Sequence, residues 1–199
     1  NMRALVALGL YSRETLGDLR AELGLSYDQQ LRGILHVYTD DQEFERACVQ
    51  ARSMRQFGCE RVPATAEECL AIEPALRGGI PLCGGTFTAG DESGDAHAFT
   101  AALAEHAQAS GVKFRYGRTL SRLCVQGDRI LAVELADGER LAADVFVMAA
   151  GSFSSPLLRS VGVRLPVYPA KGYSATFTLR DGSIAPTVSL TDDTRKLVF

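Results

Sequence analysis

Asp144-Val145-Phe146-Val147-Met148-Ala149-Ala150-Gly151-Ser152-Phe153 is the stretch on which the fold reading turns. After Asp144 it is a continuous apolar run, the kind of strand buried on both faces of a parallel sheet. It therefore predicts a strand over 144–150 that runs through Gly151 into a helix at Ser154 to Ser160. In α/β proteins, the carboxyl end of such a strand next to a helix N-terminus is where anionic groups bind, and a glycine there lets a ligand touch the backbone. A glycine at that place also serves packing alone.

Immediately upstream, Leu120–Val125, Arg129–Leu135 and Glu139–Ala142 are short β-prone runs joined by Gly127-Asp128 turn residues and by Asp137-Gly138. They predict a small antiparallel meander. Before it, Phe99, Ala102, Leu103 and His106 mark one helix face, and Val112-Lys113-Phe114-Arg115-Tyr116 alternates as a half-buried strand does.

Nearer the start, Leu5, Leu8, Leu16, Leu19 and Leu23 form an apolar stripe, predicting a helix that ends at Gly24. A strand follows at Gly33–Tyr38. Thr39-Asp40 then caps a helix that carries Phe44, Cys48, Ala51 and Phe57 and stops at Gly58. Thr65-Ala66-Glu67-Glu68 has the form of a capping box and opens a short helix ended by Glu73-Pro74. Residues 78–94 are glycine-rich and acidic and read as a crossing between two regions. Their glycines suit turns with positive φ or close approach to a ligand, and turns are the favoured reading.

Beyond 160, Val167 to Leu179 alternates and is rich in β-formers, so it predicts a strand, as does Lys196–Phe199. Two cores are expected. One surrounds the strand at 145–150, and the other the strands at 33–38 and 173–179.

Composition excludes several function classes. The chain has 199 residues, 46% of them hydrophobic, and a net charge of −3 without a basic run, so no nucleic-acid role is expected. No apolar stretch approaches the roughly 20 residues of a membrane span, and the start does not look like a signal peptide. A cytoplasmic or cytosol-facing protein is expected. Five cysteines without a Cys-x-x-Cys spacing and three scattered histidines suggest free thiols and no metal.

Over residues 84–173, and more loosely over most of the chain, the sequence resembles the FAD-dependent D-amino acid dehydrogenase family of the D-amino acid oxidase and glycine oxidase superfamily. The likeness rests on Asp91-Glu92-Ser93-Gly94-Asp95 with Phe99-Thr100, on Gly111–Arg115, on Val145–Ser154 and on Val167–Ser174, in that order and at similar spacing. It implies an α/β fold of mixed α+β character, combining part of a doubly wound FAD-binding domain (1–26 and 85–160) with part of a substrate-binding domain on a mixed antiparallel sheet (27–84 and 161–199).

The resemblance also implies an oxidoreductase that deaminates D-amino acids to 2-oxo acids and ammonia, with electrons passing from FAD to a quinone or other acceptor. Carried over by position, Leu120, Ala149, Ala150 and Gly151 would meet FAD through their backbones, and Tyr173 would face the substrate. Peripheral membrane association of the parent protein belongs to the same expectation.

One departure stands out. No Gly-x-Gly-x-x-Gly occurs in the sequence, and counterparts of the family's carboxylate-binding arginine are not found, so the chain reads as an internal fragment that by itself does not hold FAD. Two other readings stay open: a glycine- or sarcosine-type amine oxidase, and a binding module of the same architecture without flavin. An excised piece should leave sheet edges and apolar faces uncovered. The isolated chain is therefore predicted to self-associate, with a light-scattering mass that rises with concentration; a constant monomer mass would count against this.

Overall fold

The computed structural model describes every residue except Gly182. The chain divides into two compact units, Asn1–Val112 with Thr178–Phe199, and Lys113–Phe177. This division by packing is separate from the expected assignment to FAD-binding and substrate-binding portions, whose line at 84/85 falls within a strand.

The larger unit opens with helix α1 (Met2–Leu23), which ends at Gly24 in the left-handed conformation that glycine adopts without a Cβ penalty. β1 (Ile34–Tyr38) follows, then α2 (Asp41–Arg55), β2 (Arg61–Thr65), α3 (Ala66–Ile72), β3 (Gly84–Thr88) and α4 (Ala96–Ala109). Each of the later helices starts on a side-chain cap. Asp40 accepts from Glu43 N–H, Thr65 and Glu68 form the expected reciprocal capping box, and Asp95 accepts from Ala98 N–H.

The sheet of this unit runs β2-β3-β1-β7-β8, where β7 is Ser189–Asp192 and β8 is Leu197–Val198. β1 pairs antiparallel with β3 and parallel with β7, so the sheet is mixed. Alternation along β1 sends Leu35 and Val37 into a core with Ala64, Cys69, Val188 and Leu190.

β3 corrects the expected crossing at 78–94. Two consecutive glycines in it point to opposite faces of the sheet. A Cβ on Gly84 would run into the Phe44 ring of α2, and one on Gly85 would lie 2.6 Å from Cys69 Sγ of α3. The glycines do permit a close approach, but it is that of the protein's own helices.

Glu73 locks α3 to the strand beyond. Its side chain is only 1% exposed. One oxygen accepts from Ala75 N–H at 2.8 Å; the other accepts from Thr187 N–H at 2.5 Å, Thr187 Oγ1–H at 3.1 Å and Val188 N–H at 2.9 Å. Burial works to raise its pKa, but these donors outweigh it and hold the carboxyl below its ordinary range.

The smaller unit contains the predicted meander, β4 (Leu120–Gln126), β5 (Arg129–Leu135) and β6 (Arg140–Ala142), paired antiparallel in that order. Helix α5 (Ser154–Arg159) also forms.

Three expected strands do not appear. Residues 144–150 form no strand, and Val147 is 86% exposed. Residues 112–116 and 167–179 are likewise outside any strand. The cause is the same each time. A strand's N–H and C=O groups need a neighbour, and no described residues pair with these segments. The first expected core is therefore absent, and the second is completed by β7 in place of 173–179.

Because the folded-state pKa of Glu73 is depressed, its contribution to stability is full above the unfolded carboxylate pKa of about 4 and is lost as pH falls through the folded value. Glu73→Ala strands four donors and should cost about 3 kcal/mol at pH 7, read from the urea midpoint. The deficit against wild type should shrink in acid. A neutral-pH loss under about 0.5 kcal/mol would contradict this account.

Candidate functional site

The four residues expected to meet FAD all lie in the smaller unit. Leu120 begins β4 opposite Leu135, and the strand is held at that end by Ala136 N–H donating to Thr119 O at 2.8 Å. Gly127 (φ 63°) and Gly138 (φ 87°) make the two tight turns of the meander. Arg122 and Arg140 converge on Glu134 at 2.9 and 2.7 Å across the strands, and their hydrogen bonds bring its carboxyl down to about 2.

Ala149 and Ala150 are exposed, and Gly151 follows with φ 54°. That is the left-handed region, where a side chain costs about 1 kcal/mol or more. Gly151 opens a single tight turn to Phe153, whose N–H donates to Ala150 O at 3.0 Å, and α5 continues from it. α5 packs on β4, so the segment after Gly151 and the strand that Leu120 opens are parts of one packed structure. Buried Ser155 on α5 donates its hydroxyl to Leu165 O, which ties down the segment that follows.

A Cβ built on Gly151 would meet no atom within 4 Å. The backbone there is thus both bent for glycine and open on its outer side. Exposed Val145 and Val147 lead up to it, and their main-chain groups bond to none of the described residues.

Tyr173 is 88% exposed, and the Lys171 ammonium lies over its ring, with Nζ 5.2 Å from the ring centre. None of the contacts described brings Tyr173 to Leu120 or to 149–151. Among the described residues no three His, Cys, Asp or Glu side chains converge as a metal site, and the five cysteines are unpaired.

A cluster that sequence reading passed over lies in the larger unit. Arg20 Nη1 on α1 donates to both oxygens of Glu92 at 2.7 Å and to Tyr27 Oη at 2.8 Å, while Tyr27 Oη–H donates to Glu92 Oε1 at 3.0 Å. Tyr27 also meets Phe99 of α4 edge to face, with centroids 5.2 Å apart. This network pins the acidic 89–95 segment between α1 and α4. The signal was present in Asp91-Glu92, but its partner sits 72 positions away in sequence.

The sequence profile of a family described as FAD dependent oxidoreductase matches residues 1–199, and the chain belongs to that family. Among its relatives is a D-amino acid dehydrogenase of Dechloromonas aromatica (strain RCB), 58% identical over 204 residues, which cover 100% of this chain and 49% of the relative. A second, the D-amino acid dehydrogenase of Paramagnetospirillum magneticum, is 49% identical over 201 residues, covering 100% and 47%. The chain thus spans about half the length of the curated relatives it matches.

Among solved structures, glycine oxidase from Geobacillus kaustophilus superposes with a TM-score of 0.74 at 27% identity, over 83% of this chain and 45% of that one. L-amino acid deaminase from Proteus myxofaciens, at 20% identity and a TM-score of 0.67 over 78% and 35%, shares the fold. These neighbours agree with the mixed α/β class expected from sequence.

Gly151→Val should destabilise the smaller unit by about 1–2 kcal/mol through backbone strain alone, since nothing crowds the site. Chemical denaturation followed by hydrogen exchange in β4 and α5 measures it. Ser152→Ala, on an exposed-to-intermediate neighbour, serves as the comparison expected to stay within about 0.5 kcal/mol.

Proposed function

We propose that this chain is part of a flavin-dependent D-amino acid dehydrogenase, which deaminates D-amino acids to 2-oxo acids and ammonia and passes the electrons to a quinone or another acceptor. The observation that carries the reading is the 58% identity running the whole length of the chain to a D-amino acid dehydrogenase. At that level a shared architecture is assured, and a shared reaction is the simplest reading.

FAD, when bound, supplies the acceptor for hydride from the amino acid Cα. The residues present fit a part of it. Ala149, Ala150 and Gly151 would offer main-chain N–H and C=O groups at the open glycine turn, and Leu120 would contribute its backbone at the start of β4. These contacts orient without side-chain chemistry, so they tolerate Leu120→Ile better than any change in the path at Gly151. Tyr173 is proposed to face the substrate, with its exposed ring available to cover an apolar side chain. In the same proposal, residues 1–26 and 85–160 belong with the FAD-binding portion, and 27–84 and 161–199 with the substrate-binding portion.

No helix among the described residues is long and apolar enough to cross a membrane. Peripheral association of the full-length protein at the cytoplasmic face of the inner membrane, for delivery of electrons to a membrane quinone, is part of the same proposal. A glycine- or sarcosine-type amine oxidase is the second reading, favoured by the superposition on glycine oxidase.

The deciding experiment is an anaerobic absorbance spectrum of the protein expressed at the full length of its relatives. A flavin band that bleaches on adding D-alanine is the expected result. Bleaching by glycine or sarcosine alone would move the substrate to the second reading, and absence of a flavin band would sink both.

A further inference from the structure

One line of polar side chains crosses the sheet of the larger unit from β2 to the end of β7. Arg61 on β2 donates Nε–H to Thr88 Oγ1 on β3 at 3.3 Å and Nη2–H to His36 Nε2 on β1 at 3.0 Å. His36 Nδ1 meets Asp193 Oδ2, just past β7, at 2.9 Å. A guanidinium has only donors, so Nε2 of His36 accepts, and the single ring proton lies on Nδ1 toward the carboxylate. His36 is therefore neutral in this arrangement, and the charge of Arg61 is balanced by Asp193 through the ring. Because β2 is the outermost strand, the line ties a sheet edge to the middle of the sheet.

Nε2 cannot keep that partner once it is protonated. An imidazolium donates from both nitrogens, and its Nε2–H would face an N–H of Arg61, donor against donor and cation against cation. On the other side Asp193 meets a full opposite charge and is held more firmly.

A second, independent feature is an acceptor with nothing to accept. Thr86 stands opposite His36 in the ladder of β1 and β3, so the two side chains share a face within cross-strand reach. Thr86 is 1% exposed, and its Oγ1 has no hydrogen-bond partner among the described residues. Folded chains rarely leave a buried hydroxyl unpaired. Its place beside His36 gives the Nε2–H of a charged ring an acceptor.

The other groups around the ring are committed or uncharged. β3 offers only hydroxyls, those of Thr86 and Thr88. Asp192, beside Asp193, is bound by Arg195 at 2.7 Å, and Glu43 of α2 is bound by the Thr194 hydroxyl. Tyr38, two places along β1, has Thr86 and Asp193 near its hydroxyl, and burial raises its pKa, so it stays protonated while a histidine titrates. Arg61 and Asp193 are left as the charges that act on His36.

We propose that His36 is a proton-operated switch with two alternative partners for Nε2, Arg61 when the ring is neutral and Thr86 when it is charged. Uptake of a proton releases the Arg61 guanidinium from β1 and strengthens the tie to Asp193. The edge strand β2 then depends on its backbone ladder with β3. The switch is independent of the flavin reading and needs only the larger unit.

The test is ¹⁵N NMR of the chain labelled at histidine and arginine, titrated from about pH 8 to about pH 5, the range in which histidines ordinarily change charge. The His36 signals are assigned by their loss in His36→Gln. At the alkaline end the ring proton should sit on Nδ1, with Nε2 unprotonated. As His36 takes up its second proton, the Arg61 Nε and Nη signals should move with the same midpoint. Thr86→Val keeps the shape and removes the acceptor, so it should lower that midpoint by about 0.5–1 pH unit, whereas Arg61→Met should raise it. A proton on Nε2 at the alkaline end, or Arg61 signals that stay put through the His36 titration, would overturn the switch. So would a Thr86→Val midpoint equal to that of wild type. The first two outcomes are read on the unsubstituted chain and stand even where a variant fails to fold.

Discussion

The sheet of the larger unit is covered closely on both faces because two adjacent residues, Gly84 and Gly85, leave room for side chains of α2 and α3. Cys69 and Phe44 occupy the positions where Cβ atoms would otherwise stand. Interiors pack at crystal-like density, so a gain of one carbon at either place would push a whole helix outward. The strand in the middle of this arrangement is β1, and its alternation of Leu35 and Val37 toward the main core fixes the register with β3.

Polar links complete what the packing begins. Glu73 gathers donors from its own turn and from residues 187 and 188, joining α3 to the approach of β7. Arg20, Tyr27 and Glu92 do the same for α1, the loop after it and the segment leading into α4. Both devices are buried or nearly so, and both bring together residues far apart in the chain. They make the larger unit one cooperative body instead of a sheet with loosely attached helices.

Local features were legible in the sequence. The leucine spacing of α1 with its terminal Gly24, the Thr65 and Glu68 capping box, and the Asp137-Gly138 turn of the meander all depend on residues within a few positions of one another. Pairing over long distances was not. Val145–Ala150 and Val167–Leu179 have the composition of strands, yet strand formation is decided by a neighbour and not by the segment itself. β3 was passed over for the opposite reason, since Gly84-Gly85-Thr86 has little intrinsic β preference and is a strand because β1 and β2 flank it. The candidate flavin contacts, Leu120, Ala149, Ala150 and Gly151, have no ionisable or nucleophilic side chains. Only likeness to a family singles them out, because backbone recognition leaves almost no chemical mark on a sequence.

The parallel pairing of β1 with β7 joins parts of the chain made at very different moments. His36 and Asp193, which meet across it, are 157 positions apart, and the whole smaller unit is made in between. At the usual pace of translation, about 5–20 residues per second, one edge of β1 waits roughly 8 to 30 seconds for its partner. During that interval β1 can pair with β3 on one side only, and its other row of N–H and C=O groups faces whatever is nearby on the ribosome. The nascent chain is thus open to strand exchange at that edge for the whole interval between the making of β1 and of β7.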